Sequence, residues 1–245
     1  DTSKVTNMDH AFRSVTAKDG PHGYPSAPRI ICVTQSINQS ATGRFDDVAN
    51  IDISNWDVSN VKSMNHMFHG FIGIYGDLSG WNVSQVTSMS HMFDDVRYLA
   101  NTSTWDTSKV TDMSYMFKMH EGAPAYNRAL LGNFIENFNV SAVTTMKRMF
   151  EHFGDGYHGE RQRIPREFLW DNTPPMDLSR WELSSLTNMH SMFYRATTVS
   201  SFLHGAKDWD VRKVEDMSNM FQWSACGTLI DLSGWKTTSL RNMDN

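Results

Sequence analysis

The stretch W-D-V-S-N-V-K-S-M-N-H-M-F at residues 56–68 decides the fold of this chain, because variants of it recur along the sequence. W-N-V-S-Q-V-T-S-M-S-H-M-F follows at 81–93 and W-D-T-S-K-V-T-D-M-S-Y-M-F at 105–117. An eighth copy enters at Asp1 without its aromatic; the other seven units begin at Trp56, Trp81, Trp105, Phe138, Trp181, Trp209 and Trp235. Self-similarity of this kind predicts one repeat array over 1–245.

The apolar spacing within one unit predicts a short strand followed by a short helical turn. Ile53, Trp56 and Val58 follow the pattern of a strand with one buried face. Val61 and Met64 begin a run with a period of three, which suits a 3₁₀ turn or a short irregular helix. We expect serines to cap that turn, at Ser59, Ser84, Ser108 and Ser184. The sequence therefore predicts an α/β solenoid, a right-handed coil of the leucine-rich-repeat type with one parallel strand and one turn in about 25 residues.

The units resemble the repeats of the BspA-like leucine-rich-repeat family. The resemblance is carried by D-I-S-N-W-D-V-S-N-V at 52–61, D-L-S-G-W-N-V-S-Q-V at 77–86 and D-L-S-R-W-E-L-S-S-L at 177–186. It implies a secreted or surface-anchored adhesion protein, on a cell or a virion, without catalytic residues. It covers most of the chain except insertions near 13–50, 119–133 and 151–175. The first insertion is long enough to contain a degenerate unit.

Composition narrows the classes of partner. A net charge of −5 gives no basic footprint for nucleic acid. No apolar run approaches the roughly 18 residues of a membrane span. We expect Cys32 and Cys226 to be free thiols. Since neither end carries a polar capping unit, we expect further repeats or partner subunits at both ends.

Three patterns invite a search for metal ligands. Met-x-x-Met resembles a copper(I) spacing, but the methionines lie on the apolar ladder and are better explained as core. His66 and His91 share one unit position and should stack, with Tyr115 and Arg148 continuing the column. We find no third His or Cys at matching spacing, so we predict no metal site and no cofactor. Calcium is an alternative to turn capping for the column Asp52, Asp77, Asn101, Asp177 and Asp231.

Residues beside the aromatic should point outward from the predicted strand. They form a polar column at Asp57, Asn82, Asp106, Asn139, Glu182 and Asp210. Large anchoring side chains lie instead on the third insertion, at Tyr157, Arg161, Arg163 and Trp170. Such anchors usually supply most of the binding energy. We therefore expect the insertion to supply most of the contact energy with a partner, and the polar column to set the partner's register along the array. Glycosylation sequons occur at Asn38, Asn82, Asn101 and Asn139.

These observations favour a non-enzymatic extracellular module that binds a protein or glycan partner. The alternative is a structural subunit of a filament, coat or virion that uses the array as a scaffold. A hydrolase using the insertion at 151–175 is a distant third hypothesis. Neither a G-x-S-x-G elbow nor a phosphate-binding loop occurs in the sequence.

Overall fold

The computed structural model describes residues 1–12, 30–32, 48–50, 52–70, 73–75, 77–96, 99–119, 135–153, 177–196, 205–224 and 230–245. The three predicted insertions lie largely outside these ranges, as does the site of a degenerate unit after Cys32. Positions within a unit are counted here from its aromatic, so that Trp56 is position 0 and Phe68 is position 12.

Successive units pair with one another in parallel at position 7. The bridges join Asn7 to Ser63, Ser63 to Ser88, Ser88 to Asp112, Asp112 to Thr145, Thr145 to Asn188, Asn188 to Asp216 and Asp216 to Asn242. Backbone hydrogen bonds extend each bridge along the chain: the Met64 N–H donates to the Ser88 carbonyl at 3.1 Å, and the Phe68 N–H to the Met92 carbonyl at 3.0 Å. Equivalent positions of all eight units are therefore held in register.

The expected strand is not formed at the predicted place, and the run with a period of three folds as successive turns rather than as a regular helix. Among the described residues, 52–70 contain neither a regular strand nor a helix. Instead, backbone bonds three residues apart close successive turns, from Trp56 to Ile53, from Val61 to Val58 and from Met67 to Met64. The period of three thus reflects a chain of tight turns, and the parallel pairing lies seven residues after the aromatic rather than beside it.

Asp-x-Ser and Asn-x-Ser pairs explain why the chain turns so often. In the first pair of a unit, the Asp52 Oδ1 accepts from the Ser54 N–H at 3.1 Å and from its hydroxyl at 2.6 Å. The same bonds join Asp57 to Ser59 at 3.0 and 2.6 Å. Such Asx turns mimic a backbone turn. The expectation that Ser59 and its equivalents cap a helical turn is wrong, because the N–H groups two and three residues after each serine donate to backbone carbonyls, as Val61 does to Val58 and Lys62 to Thr6.

Regular elements are few in the described ranges. Strand β1 (Ile30–Cys32) lies between β2 (Val48–Asn50) and β3 (Gly73–Tyr75), and all three are parallel. A 3₁₀ helix covers Ala206–Asp208. Two of these strands, β1 and β2, lie within the first insertion, and β3 lies between the units that begin at Trp56 and Trp81.

Two aromatic ladders fill the core. The phenylalanines of position 12 stack from unit to unit with centroids 5.5–5.8 Å apart. The tryptophans of position 0 stack at 6.2–6.4 Å. From Trp81 onward, each indole N–H of this ladder also donates to a carbonyl of the preceding unit, as Trp81 does to Ile53 at 3.0 Å. Because its polar atom is satisfied, tryptophan can lie in an apolar interior at almost every unit.

Candidate functional site

The column beside the aromatic is exposed. We call it the outer strip; it consists of Asp57, Asn82, Asp106, Asn139, Glu182 and Asp210. The first five are exposed and Asp210 is half-buried. Because the units are paired in register, the strip presents one polar group per unit along the stack.

One oxygen of most strip side chains is occupied by its own turn. Asp57 Oδ1 holds the Ser59 turn, and Asp106 Oδ1 accepts from the Ser108 N–H at 3.0 Å. The hydroxyl and then the backbone N–H of the following serine lower the pKa of both Asp57 and Asp106. The second oxygen of each carboxylate makes no hydrogen bond to any described residue. The turn therefore fixes a charged carboxylate while its other oxygen faces solvent.

Asparagine occupies the same position in alternate units and makes the same turn. Asn82 Oδ1 accepts from the Ser84 N–H at 3.1 Å, and Asn139 Oδ1 from the Ser141 N–H at 3.1 Å. Its amide nitrogen takes the place of the free carboxylate oxygen. From Asp57 to Asn139 the strip thus alternates hydrogen-bond acceptors with donors.

Asp210 differs from the other acidic members of the strip. Arg212 binds both carboxylate oxygens, at 2.8 and 2.7 Å. This side-chain hydrogen bond lowers the pKa of Asp210 to about 2. Since both oxygens are occupied, Asp210 presents a neutral ion pair rather than a free acceptor.

The remaining predicted site residues divide between described and undescribed parts of the chain. Tyr157, Arg161, Arg163, Trp170 and the sequon at Asn38 lie outside the described residues. Among the other sequons, Asn82 and Asn139 are exposed, whereas Asn101 is half-buried and bridges to Asp77. Asp77 and the other acidic residues of the proposed calcium column hold their own serines, as in the bond from the Ser79 N–H at 2.8 Å. Turn capping is therefore an observed role for that column.

A column of polar rings follows position 10. His10 stacks on His66 at 4.7 Å, His66 on His91 at 4.2 Å, and His91 on Tyr115 at 4.2 Å. The Arg148 guanidinium lies 6.0 Å from the Tyr115 ring. The predicted stacking of His66 and His91 is confirmed. All five residues have left-handed φ values of 55–59°.

The prediction that no third histidine matches this pair is wrong. His69, at position 13, brings its Nδ1 to 3.1 Å from the His66 Nδ1. One ligand atom each from His66, His69 and His91 lies within 4.8 Å of the others. The missed signal was H-M-F-H at 66–69: a left-handed residue followed by a tight turn brings residues three apart together.

A chain of hydrogen bonds elsewhere resembles a hydrolytic site but lacks access. The Ser191 hydroxyl lies 3.1 Å from His190 Nε2, and the Ser218 hydroxyl lies 2.8 Å from His190 Nδ1. Ser218 in turn donates to Asp216 at 2.6 Å. Burial lowers the pKa of His190, which keeps the imidazole neutral near pH 7. Ser191 is only 2% exposed, so no substrate carbonyl can reach its hydroxyl.

In the parts of the chain that the structure describes, we find no helix with the length and apolar character needed to cross a membrane.

Comparison with known proteins identifies the family. The family model described as "Mycoplasma protein of unknown function, DUF285" matches residues 38–154 and 167–245. The chain belongs to that family. Comparisons with curated protein sequences and with solved structures give no match.

Proposed function

We propose that this DUF285 member is a non-enzymatic extracellular binding module, of the BspA-like kind, that recognises a protein or glycan partner. Its scaffold would be a right-handed solenoid of the leucine-rich-repeat type, located on a cell or virion surface. The parallel bridges at position 7 support the scaffold, since each unit depends on its neighbours to bury its ladders.

The observation that carries the proposal is the arrangement of the outer strip. Asp57 and Asp106 are charged, exposed and fixed by their turns, and each has one oxygen without a bond to a described residue. Groups held in place before binding lose little freedom when a partner arrives. The alternation with Asn82 and Asn139 offers acceptors and donors at neighbouring units. The outer strip could therefore form hydrogen bonds with the hydroxyl groups of a glycan or with the basic side chains of a protein.

Two features distinguish this proposal from catalysis. The described Ser–His pair is closed to substrate. The turns lower the pKa of Asp57 and Asp106 in the outer strip, which makes these two carboxylates poor general acids near neutral pH. In the proposal the strip sets register, while contact energy comes from the third insertion through Tyr157, Arg161, Arg163 and Trp170.

A pair of arrays tests the proposal. The labelled chain is applied to a glycan array and to an array of basic peptides, beside the double variant Asp57→Asn/Asp106→Asn. Asparagine occupies this position in two natural units, so the turns should survive and only the charge is removed. We expect specific binding by the native chain and weaker binding by the variant.

Two other results would count against the proposal. The absence of binding on both arrays, combined with concentration-dependent self-association in sedimentation, would favour the assembly subunit. Equal binding by the native chain and the double variant would show that the outer strip is not part of the binding site. The third insertion is tested with a variant that has alanine at Tyr157, Arg161, Arg163 and Trp170. Its loss of affinity measures how much the insertion contributes to binding.

A further inference from the structure

Four side chains from two neighbouring units meet beside the stack of rings. We call this group the histidine corner; it consists of His66 and His69 from one unit and His91 and Asp94 from the next. The His66 and His69 Nδ1 atoms are 3.1 Å apart. Asp94 Oδ2 lies 2.7 Å from His91 Nδ1 and 3.9 Å from His69 Nδ1. The corner thus joins position 10 and position 13 across one boundary between units.

We propose that the histidine corner binds one divalent transition-metal ion of the zinc class, with His66, His69 and His91 as ligands. Imidazole nitrogen suits such ions. Metal–nitrogen bonds of about 2.0–2.1 Å in tetrahedral geometry put ligand atoms about 3.4 Å apart. One ligand atom from each of the three histidines lies within 4.8 Å of the other two, so the atoms must approach one another and the rings must turn before all three can bind one ion. Asp94 would hold His91 by its Nδ1 and leave Nε2 for the ion.

The backbone beneath the ligands is fixed before any ion arrives. The His66 N–H donates to the Ser90 carbonyl and the His91 N–H to the Ser114 carbonyl, each at 2.9 Å. The His69 N–H donates to the His66 carbonyl at 3.2 Å, which sets the spacing between those two side chains. Only side-chain rotation is then required for binding, and a rigid backbone favours defined coordination.

Ring orientation shows what binding must change. The His66 and His91 rings are 13° from parallel with centroids 4.2 Å apart, so their in-plane lone pairs do not converge on one point. The His69 and His91 side chains are 27% and 22% exposed, which leaves room for them to turn. Coordination therefore replaces ring stacking at this boundary, and water can reach the remaining coordination position.

The equivalent positions of later units carry different chemistry. Tyr115 pairs with Lys118, whose ammonium lies 5.6 Å from the ring centroid. Arg148 pairs with Glu151 at 3.3 Å. Positions 10 and 13 of the unit at Trp209 hold Asn219 and Gln222. The first of these, Asn219, has the same left-handed φ of 57° as the histidines. Asparagine and glutamine are therefore substitutions that this repeat already accommodates.

Titration of the full chain with Zn²⁺ by isothermal calorimetry tests the site. The variants are His66→Asn and His69→Gln, matched to Asn219 and Gln222, and the control is His190→Gln, which removes a histidine outside the corner. We expect the native chain and the control to bind Zn²⁺ alike. Each corner variant should bind at least tenfold more weakly or lose one equivalent, and Asp94→Asn should weaken binding roughly tenfold.

A spectroscopic measurement identifies the ligands directly. Imidazole ¹⁵N shifts are recorded with and without Zn²⁺, with Mg²⁺ as the comparison ion, because Mg²⁺ prefers oxygen ligands. We expect Zn²⁺ to move the ring signals of His66, His69 and His91, and Mg²⁺ to leave them in place. Unchanged ring signals, or a His69→Gln variant that binds Zn²⁺ as tightly as the native chain, would overturn the proposal. Thermal unfolding without metal shows whether each variant is folded.

Discussion

Replacement of Trp105 by alanine tests whether the tryptophan ladder stabilises the stack. Trp105 is 4% exposed and stacks on Trp81 with centroids 6.2 Å apart and ring planes 1° from parallel. Its ring also stacks on that of Phe93, with centroids 6.2 Å apart. Its indole N–H donates to the Leu78 carbonyl at 2.9 Å. The substitution therefore removes buried area, two ring contacts and one buried hydrogen bond.

The magnitude follows from those losses. A buried tryptophan replaced by alanine costs about 3–5 kcal/mol, and aromatic pairs add about 0.5–1.5 kcal/mol each beyond their area. We expect the loss for Trp105→Ala to lie near the top of the first range. Trp105→Phe should cost about 1–2 kcal/mol, since phenylalanine occupies this position naturally at Phe138. The Leu78 carbonyl still accepts a hydrogen bond from the backbone N–H of Trp81, so this carbonyl is not left unpaired in either variant.

Equilibrium unfolding in urea, followed by circular dichroism, measures these differences. Trp223→Ala is the control, because Trp223 is 73% exposed and its loss should change the unfolding free energy by less than about 0.5 kcal/mol. A cost under about 1 kcal/mol for Trp105→Ala would show that the tryptophan ladder does not stabilise the stack. A cost for Trp223→Ala as large as that for Trp105→Ala would show the same.

Three further predictions concern the turns and the surface. Because Arg212 lowers the pKa of Asp210 to about 2, their pair stabilises the fold above the unfolded value of 3.8 and is lost as pH falls towards 2; NMR titration should show the Asp210 pKa rising in Arg212→Gln. Gly205→Ala should cost roughly 1–3 kcal/mol, because Gly205 has φ +81° and an added Cβ would lie 2.3 Å from the Ser179 Cβ. Gly80→Ala, where an added Cβ meets nothing within 4 Å, should be close to neutral, and unfolding of both variants in urea measures the difference. In a eukaryotic secretory host, glycopeptide mass spectrometry should find more glycan on exposed Asn82 and Asn139 than on half-buried Asn101.

The apolar ladders could be read from the sequence because burial depends on side-chain type and spacing. Met64 and Met67 were expected in the core, and both are fully buried. The spacing of apolar residues did not predict that the units pair in parallel at position 7. A spacing of three is shared by 3₁₀ helices and by successive turns, and the Asx bonds at Asp52 and Asp57 decide between them.

The candidate site was predictable only in part. Exposure of the outer strip follows from polar residues beside a buried aromatic, and Asp57 and Asn82 are exposed as expected. The histidine corner depends on a left-handed φ at His66, which is uncommon for residues other than glycine. The sequence gives no signal for that φ apart from Asn219 at the same position. The H-M-F-H spacing at 66–69 therefore brings His69 to the histidine column only because His66 adopts that φ.

The most direct test of the central claim measures binding to the outer strip at two salt concentrations. The strongest hit from the glycan and peptide arrays is titrated into the native chain and into Asp57→Asn/Asp106→Asn at about 50 and 300 mM NaCl. If fixed carboxylates recognise a basic partner, the native affinity falls with salt and the variant binds weakly at both concentrations. If a glycan is the ligand, the variant still binds more weakly but salt has little effect. Equal affinity of the two proteins at both concentrations would contradict the assignment of the strip as a binding surface.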